Sequence, residues 1–345
     1  MSSTLQDHLE GWAAGDPLRV DIAATLSAIA GTARHLAEIV AQGPLAGQLA
    51  TVVGSNADGD AQKDLDVRAD AMFLDALRGA PVAAYASEEN PEPIALRPDA
   101  SLAVAIDPLD GSSNIDTNVS IGTFFTILPF ERGTLADAAF LKPGTAQLAA
   151  GFVVYGPQTA LVLTLRAGTH VFTLDRRTNT FVLTRADVRI PAGRREYAIN
   201  ASNYRHWDEP VRAYVDDCIA GADGPRGTDF NMRWIASLVA EAFRILARGG
   251  IFLYPSDARP GYERGRLRLV YEGNPLALVV EEAGGGAIDG ESRILELSPA
   301  ALHQRVPLVF GCRHKVERVA EYYAGRLPSP GERSPLFGRR GLFRT

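Results

Sequence analysis

Cysteine is almost missing: Cys218 and Cys312 are the two in 345 residues. Two thiols cannot make a disulfide framework, so a reducing, cytoplasmic setting is expected. No apolar run reaches the ~18–20 residues of a membrane span. The stretch Met1–Trp12 is polar and acidic and lacks the pattern of a secretory signal, so no membrane partner is expected. Lysine is scarce as well; Lys63, Lys142 and Lys315 are the three among 35 basic residues, and the others are arginine. Guanidinium is the fork that grips phosphate through two hydrogen bonds. The net charge of −6 argues against a nucleic acid as the main partner. What is present is ordinary for a soluble enzyme: 46% apolar and 22% charged residues, with Gly 33 and Pro 21 too few for a collagen-like or disordered chain. The length favours two domains or one large α/β unit.

Helical spacing of Ile22, Leu26, Ile29, Leu36 and Val40 predicts a helix over Leu18–Val40, stopped by Gly43-Pro44. A second helix is expected over Leu65–Leu77. Short apolar runs at Val82–Ala86 and Leu102–Ile106 read as strands that run straight into acidic residues. The strand pattern continues over Val119–Pro129 and Gly151–Leu165, and Thr169–Arg185 reads as a hairpin turning at Asn179. Pro191–Arg195 is the best boundary, giving halves 1–193 and 194–326 and a tail 327–345. Beyond it a helix is expected over Arg233–Arg248, strands over Ile251–Tyr254 and Leu267–Tyr271, and a helix capped by Asn274 with Pro275 at its first position. Alternating strands and helices place the chain in the α/β or α+β class.

The chemistry lies in the acids. Asp58, Asp60, Asp64 and Asp66, then Glu88-Glu89, then Asp107 and Asp110, then Glu272 all fall at expected strand ends or loops. Asp107 ends an apolar strand, Pro108 turns the chain and Asp110 follows, so both carboxylates can face one point. Gly111-Ser112-Ser113 then offers backbone N–H groups with little bulk, an arrangement suited to an anion. Two like charges ~4 Å apart repel by ~4 kcal/mol at an effective dielectric of 20, so such a cluster needs cations. Oxygen-only donors indicate Mg²⁺ or Mn²⁺ rather than Zn²⁺, and metal-assisted hydrolysis of a phosphate ester as the reaction. Each piece alone reads more simply, since Asp-Pro and Asp-Gly are common turn pairs and Glu88-Glu89 would suit a solvated loop. The run Asp107–Asn114 behind an apolar strand is what lifts the pattern above that reading.

Other phosphatase signals fail. Cys312 and Arg318 have the spacing of a cysteine-phosphatase loop, but bulky charged residues between them read as a helix start. Asp64-Leu65-Asp66 resembles an aspartate nucleophile pair, yet a polar segment precedes it instead of an apolar strand. No Gly-x4-Gly-Lys-Ser/Thr loop and no His-Glu-x-x-His helix occurs, and the six histidines are scattered.

The run Asp107-Pro108-Leu109-Asp110-Gly111-Ser112-Ser113-Asn114-Ile115-Asp116, followed by Asn118–Thr123, resembles the signature of class 1 fructose-1,6-bisphosphatases. Ser87-Glu88-Glu89, Gly59-Asp60 with Leu65-Asp66-Val67, Gly249–Pro255 and Leu267–Glu272 match in order and spacing from Leu18 to Tyr323. The resemblance implies the sugar-phosphatase fold, a layered α/β/α/β/α sandwich of two related halves, assembled as a homotetramer. It implies hydrolysis of the 1-phosphate of fructose 1,6-bisphosphate with Mg²⁺ or Mn²⁺, and sedoheptulose 1,7-bisphosphate as a second candidate substrate. Glu88, Asp107, Asp110, Glu272, the Leu109 carbonyl and Asp60 would be metal ligands. Glu89 and Asp66 would orient and deprotonate the attacking water. Asp110, Gly111, Ser112 and Ser113 would hold the departing phosphate, and Asn200, Tyr254 and Arg266 the sugar and its distal phosphate. Arg233 would reach into a neighbouring subunit's site.

Departures from the pattern matter too. Arg266 stands where animal enzymes keep a lysine, and Gly15–Val20 and Ser101-Leu102 replace their AMP-binding segments, so AMP inhibition is not expected. Cys218 and Cys312 do not reproduce the chloroplast redox loop, whereas Asn200–Trp207 and Asn231–Ala236 are similar to the bacterial Calvin-cycle form. The competing expectations are an inositol-monophosphatase-like or nucleotide-bisphosphate phosphatase of the same superfamily, and a non-catalytic phosphosugar-binding regulator.

Overall fold

The computed structural model describes residues 3–55 and 61–327. Helices α1 (Leu5–Ala13), α2 (Pro17–Gln42) and α3 (Asp64–Arg78) open the chain. The start of α2 follows from its cap: Asp16 accepts a hydrogen bond from the Arg19 N–H at 3.0 Å, and Pro17 occupies the first position, where no N–H is needed. A small exposed ladder pairs β1 (Val52–Ser55) with β2 (Ala61–Lys63) just before α3.

The first sheet has eight strands: β3 (Val82–Ser87), β4 (Ile94–Ala95), β5 (Leu102–Asp110), β6 (Ile121–Pro129), β7 (Ala149–Tyr155), β8 (Thr159–Thr164), β9 (Thr169–Asp175) and β10 (Thr180–Arg185). Their spatial order is β10-β9-β8-β7-β6-β5-β3-β4, and β3 with β5 is the one parallel pair. The hairpin at residues 169–185 turns at Asn179, a left-handed residue with φ 53°. The long apolar runs of β5 and β6 have a simple origin, because both faces of the sheet are covered. Phe125, Ile127, Val104 and Ile106 pack under α1–α3, while Phe124, Phe152 and Val162 point the other way.

The second sheet contains β11 (Glu196–Ala198), β12 (Asn231–Met232), β13 (Ile251–Tyr254), β15 (Gly285–Ile288) and β17 (Leu308–Cys312), in the order β12-β11-β13-β17-β15. A two-residue ladder joins β14 (Leu267–Arg268) to β16 (Arg305–Val306). A short helix α4 (Ala136–Phe140) precedes β7, and α5 (Glu209–Ala220), α6 (Leu238–Arg248), α7 (Asn274–Glu282) and α8 (Arg313–Tyr323) complete the fold. Val239, Ala242 and Ile245 of α6 and Leu276 and Val280 of α7 share one core with Phe124 and Phe152 of the first sheet and Phe252 and Phe310 of the second. Helices α5 and α8 cover the opposite face of the second sheet through Tyr214, Val215, Val319 and Tyr322. The layers are therefore α/β/α/β/α, with α6 and α7 in the middle.

Three local expectations are corrected. Strand β5 does not stop at Ile106; it runs to Asp110, and Pro108 is absorbed by an irregularity in the pairing with β6 between Asp107 and Asp110. The helix expected from Arg233 begins at Leu238. Ser237 caps it, accepting from the Ala240 N–H, and Ala236 at φ 61° breaks the helix before it. Arg233 instead follows β12 in extended chain, its N–H bonded to the Tyr197 carbonyl at 2.8 Å. The strand expected over Leu267–Tyr271 ends at Arg268 and becomes a π-turn, Leu269–Gly273, that runs directly into α7. Asn274 is consequently the first residue of α7 and not its cap.

Candidate active site

One strand of the first sheet, β5, delivers the first two acids. Asp107 pairs with Phe124 and Asp110 with Gly122, with the bulge between them. Proline lacks an N–H for the ladder, so the bulge is where it fits. Its carbonyl is taken up by the Thr123 hydroxyl at 2.9 Å, which lies 2.9 Å from the Tyr155 hydroxyl. Asp107 Oδ1 accepts the Leu109 N–H at 3.0 Å. Glu272 arrives from the π-turn, its Oε2 accepting the Arg268 N–H at 2.6 Å. One carboxylate oxygen each from Asp107, Asp110 and Glu272 lies within 4.8 Å of the others, and all three residues are buried.

Burial and mutual repulsion govern these groups. Burial pushes Asp110 and Glu272 up to about 7. The Glu88 charge adds to the rise at Asp110 and the Asp110 charge to that at Glu272. Asp107 is raised well above its ordinary value by burial, then by Glu88, Asp110 and Glu272. Such a site binds protons or a cation. Three buried carboxylates with no nitrogen or sulfur donor fit a hard divalent cation.

Glu88 follows β3 directly. Its N–H bonds the Ile106 carbonyl at 3.1 Å, and its Oε1 lies 2.7 Å from Arg268 Nη1. Glu89 is gripped by Gln62, whose Nε2 donates to Glu89 Oε2 at 2.6 Å and to the Glu89 carbonyl at 3.1 Å. Asp66, in the first turn of α3, accepts the Lys63 N–H at 2.7 Å. Burial raises it to about 7; the Lys63 N–H pulls it down and the Glu89 charge pushes it up.

The turn after Asp110 has the shape expected for an anion. Gly111 sits at φ 78°, where a side chain would be strained, and Ser112–Asn114 form one 3-10 turn. The Asn114 side chain ties this turn to the Ala236 carbonyl at 2.9 Å. The Val239 N–H at the start of α6 donates to Asp110 Oδ2 at 3.1 Å, so a helix N-terminus faces the cluster. That approach needs Gly122, since a Cβ there would collide with the Val153 carbonyl and the Val239 side chain.

Asn200, Tyr254 and Arg266 line one small pocket with Asn203, Trp207 and Tyr262. Burial raises the Tyr254 hydroxyl, while the Arg266 charge lowers it. Arg233 lies elsewhere in the chain, its Nε on Glu196 Oε1 at 2.8 Å beside Arg194, Arg244 and Arg248. Asp60 lies outside the described residues, as does the expected tail beyond Leu327. Sequence reasoning missed Arg268 and Gln62. Arg268 pairs with an acid 180 positions away, which no local pattern reveals, although its place four residues before Glu272 was a usable signal. Gln62 carried none.

Comparison with known proteins decides the family. Residues 7–186 match the family model described as "Fructose-1-6-bisphosphatase, N-terminal domain", and residues 190–324 the one described as "Fructose-1-6-bisphosphatase, C-terminal domain". A protein of Nitrobacter hamburgensis named fructose-1,6-bisphosphatase class 1 is 57% identical over 99% of both chains. The chain belongs to the class 1 fructose-1,6-bisphosphatase family. A class 1 relative from Sinorhizobium medicae is 58% identical over 96% of this chain and 95% of its own. The crystal structure of Leishmania major fructose-1,6-bisphosphatase in holo form superposes with a TM-score of 0.86 at 34% identity, covering 94% of this chain and 99% of that one. These likenesses extend over both sheets, so the α/β sandwich is that of the family. Among the described residues, no helix is long and apolar enough to cross a membrane.

Proposed function

We propose that this chain hydrolyses the 1-phosphate of D-fructose 1,6-bisphosphate to fructose 6-phosphate and phosphate, with Mg²⁺, or Mn²⁺ in its place. The observation that carries the reading is the buried trio Asp107, Asp110 and Glu272 beside the Gly111–Ser113 turn, in a chain that belongs to the family over nearly its full length. Asp107, Asp110, Glu272 and Glu88, with the Leu109 carbonyl and Asp60, would hold the cations. When bound, a divalent cation polarises the phosphoryl group and makes a nearby water more acidic.

The protein's own residues do the rest. The N–H groups and hydroxyls of Gly111, Ser112 and Ser113 receive the oxygens of the 1-phosphate, and the α6 N-terminus adds positive potential. Asp66, raised to about 7 by burial and to a lesser degree by the Glu89 charge, can take up a proton near neutral pH beside Glu89. That pair orients the attacking water and takes its proton. Asn200, Tyr254 and Arg266 hold the sugar and its distal phosphate. In a homotetramer Arg233 extends to the site of a neighbouring subunit. A cytoplasmic location and activity on sedoheptulose 1,7-bisphosphate complete the proposal.

The test is phosphate release from fructose 1,6-bisphosphate with Mg²⁺, with chelator, and against sedoheptulose 1,7-bisphosphate, inositol 1-phosphate and a nucleotide bisphosphate. Loss of turnover with chelator is expected. Preference for the inositol or nucleotide ester, or full activity without a divalent cation, would overturn the reading.

A further inference from the structure

The segment between β13 and β14 places a tyrosine under two guanidinium groups. The Arg259 guanidinium lies 4.1 Å and that of Arg266 4.6 Å from the centre of the Tyr262 ring. The two cations are not equivalent. Asp257, itself buried, takes Arg259 through both carboxylate oxygens, with Nε 3.0 Å from Oδ1, and neutralises it. Arg266, and not Arg259, lines the pocket of Asn200 and Tyr254 beside Tyr262.

Tyr262 is also fixed by its backbone. Its N–H donates to the Arg259 carbonyl at 3.0 Å, and its carbonyl accepts the N–H groups of Asp257 at 3.2 Å and Gly265 at 3.0 Å. The Ala258 N–H bonds the His206 carbonyl at 3.3 Å, which ties the segment to the turn that follows Asn200. The ring is thus a platform held on several sides.

We propose that Tyr262 is a positioning residue for substrate binding, whose ring holds the Arg266 guanidinium at the pocket where the distal phosphate of a sugar bisphosphate docks. The inference rests on the reading of Arg266 as a ligand of that phosphate. The chemistry is consistent with itself: a guanidinium stacks through its face and binds phosphate through its edge, so the two contacts do not compete. An arginine side chain loses rotamer freedom when it is held on a ligand, and a ring that pre-orders it removes part of that cost from binding. A lysine would gain less, because its ammonium has no planar face to stack.

The experiment compares Tyr262→Leu, Tyr262→Phe and Arg266→Ala with the full-length enzyme, all saturated with Mg²⁺. It measures KM and kcat for fructose 1,6-bisphosphate, the Kd of fructose 6-phosphate, and the melting temperature. Tyr262→Leu is expected to raise KM and the fructose 6-phosphate Kd together by about 5- to 10-fold, with kcat changed less than about twofold. Tyr262→Phe keeps the ring and restores both values. Arg266→Ala raises both by a larger factor, and an unchanged KM in that variant would refute the assignment of Arg266 itself. If Arg266→Ala raises KM while Tyr262→Leu does not, or if Tyr262→Phe fails to restore it, the platform role is wrong. Tyr262→Gln replaces the leucine variant should that one not fold.

Discussion

Replacing Asp110 with asparagine should make the metal-free protein more stable while abolishing its activity. Asp110 shares its space with Asp107 and Glu272, their oxygens within 4.8 Å. Unit charges at that distance repel by about 3.5 kcal/mol per pair at an effective dielectric of 20. Burial, with the Glu88 charge, holds the Asp110 carboxyl up near 7 against an ordinary 3.8, so the folded protein keeps a proton there and avoids much of this repulsion. The sign follows from proton binding. Between about pH 4 and pH 7 the folded state holds more protons than the unfolded state, so stability from this group is greatest in acid and falls as pH rises through 7. Carrying that charge at pH 8 costs about 4 kcal/mol, a loss shared with Glu272, which titrates with it. Asparagine removes the charge and can still accept the Val239 N–H through its side-chain oxygen.

In chelator at pH 8, Asp110→Asn should therefore melt higher than the unmodified chain, by about 5 °C for a protein of this length. At pH 5 the difference should fall to less than half of that, and it should vanish only below about pH 4. With saturating Mg²⁺ the order should reverse, because a cation that binds the folded state stabilises the unmodified chain by mass action. Phosphate release should fall by at least about a hundredfold. Calorimetry at the two pH values, with and without Mg²⁺, reads all of this. A variant that melts lower than the parent in chelator at pH 8, or that keeps near-normal turnover, would refute the account of the cluster.

Three further outcomes follow from the geometry. Gly111→Ala forces a side chain onto φ 78° and should cost about 1–2 kcal/mol of stability, with weaker phosphate binding read as a higher KM. Arg268→Met leaves Glu88 without its 2.7 Å partner, so the Mg²⁺ concentration for half-maximal activity should change while secondary structure by circular dichroism does not. Glu196→Gln removes the buried charge shared by Arg194, Arg233, Arg244 and Arg248, and should lower stability by about 3 kcal/mol in urea unfolding, since the four guanidiniums lose that countercharge while Glu241 still pairs with Arg244.

The legible parts of the sequence were those with local causes. The run Asp107–Asn114 was readable because an apolar strand, a proline and a glycine turn stand next to one another. The hairpin at Asn179 was readable from turn chemistry, and the long helix α2 from the helical spacing of Ile22, Leu26, Ile29, Leu36 and Val40. Errors arose where a periodic pattern overran its boundary. Trp234 and Ile235 continue the apolar spacing of α6 upstream, yet Ser237 caps the helix and Glu241 Oε1 accepts the Ile235 N–H at 2.8 Å, holding those residues outside it. Leu267–Tyr271 is rich in strand formers, but its side chains are wanted in two cores: Leu269 packs between the sheets, and Val270 and Tyr271 against β3 and β5. An extended chain sends alternate residues to opposite faces and could not send the neighbours Val270 and Tyr271 into the same core.

That π-turn also explains why the acids meet at all. Asp107 and Asp110 are fixed in the middle of an eight-stranded sheet, and a sheet cannot bend to collect a third carboxylate. The movable element is the chain entering α7. One wide turn there brings Glu272 Oε2 back onto the Arg268 N–H, while the Arg268 side chain reaches Glu88 on the far side. Arg268 thereby links two acids from different parts of the chain through its backbone and its guanidinium. A normal α-turn would rotate Glu272 by about 100° per residue inserted or removed and aim it away from the cluster. The same helix α6 that packs both sheets together presents its first N–H groups to Asp110. The acid cluster is consequently built at the seam between the two sheets. A cation bound there would stabilise that seam, and the Asp110 charge, destabilising alone, would become favourable when the site is filled.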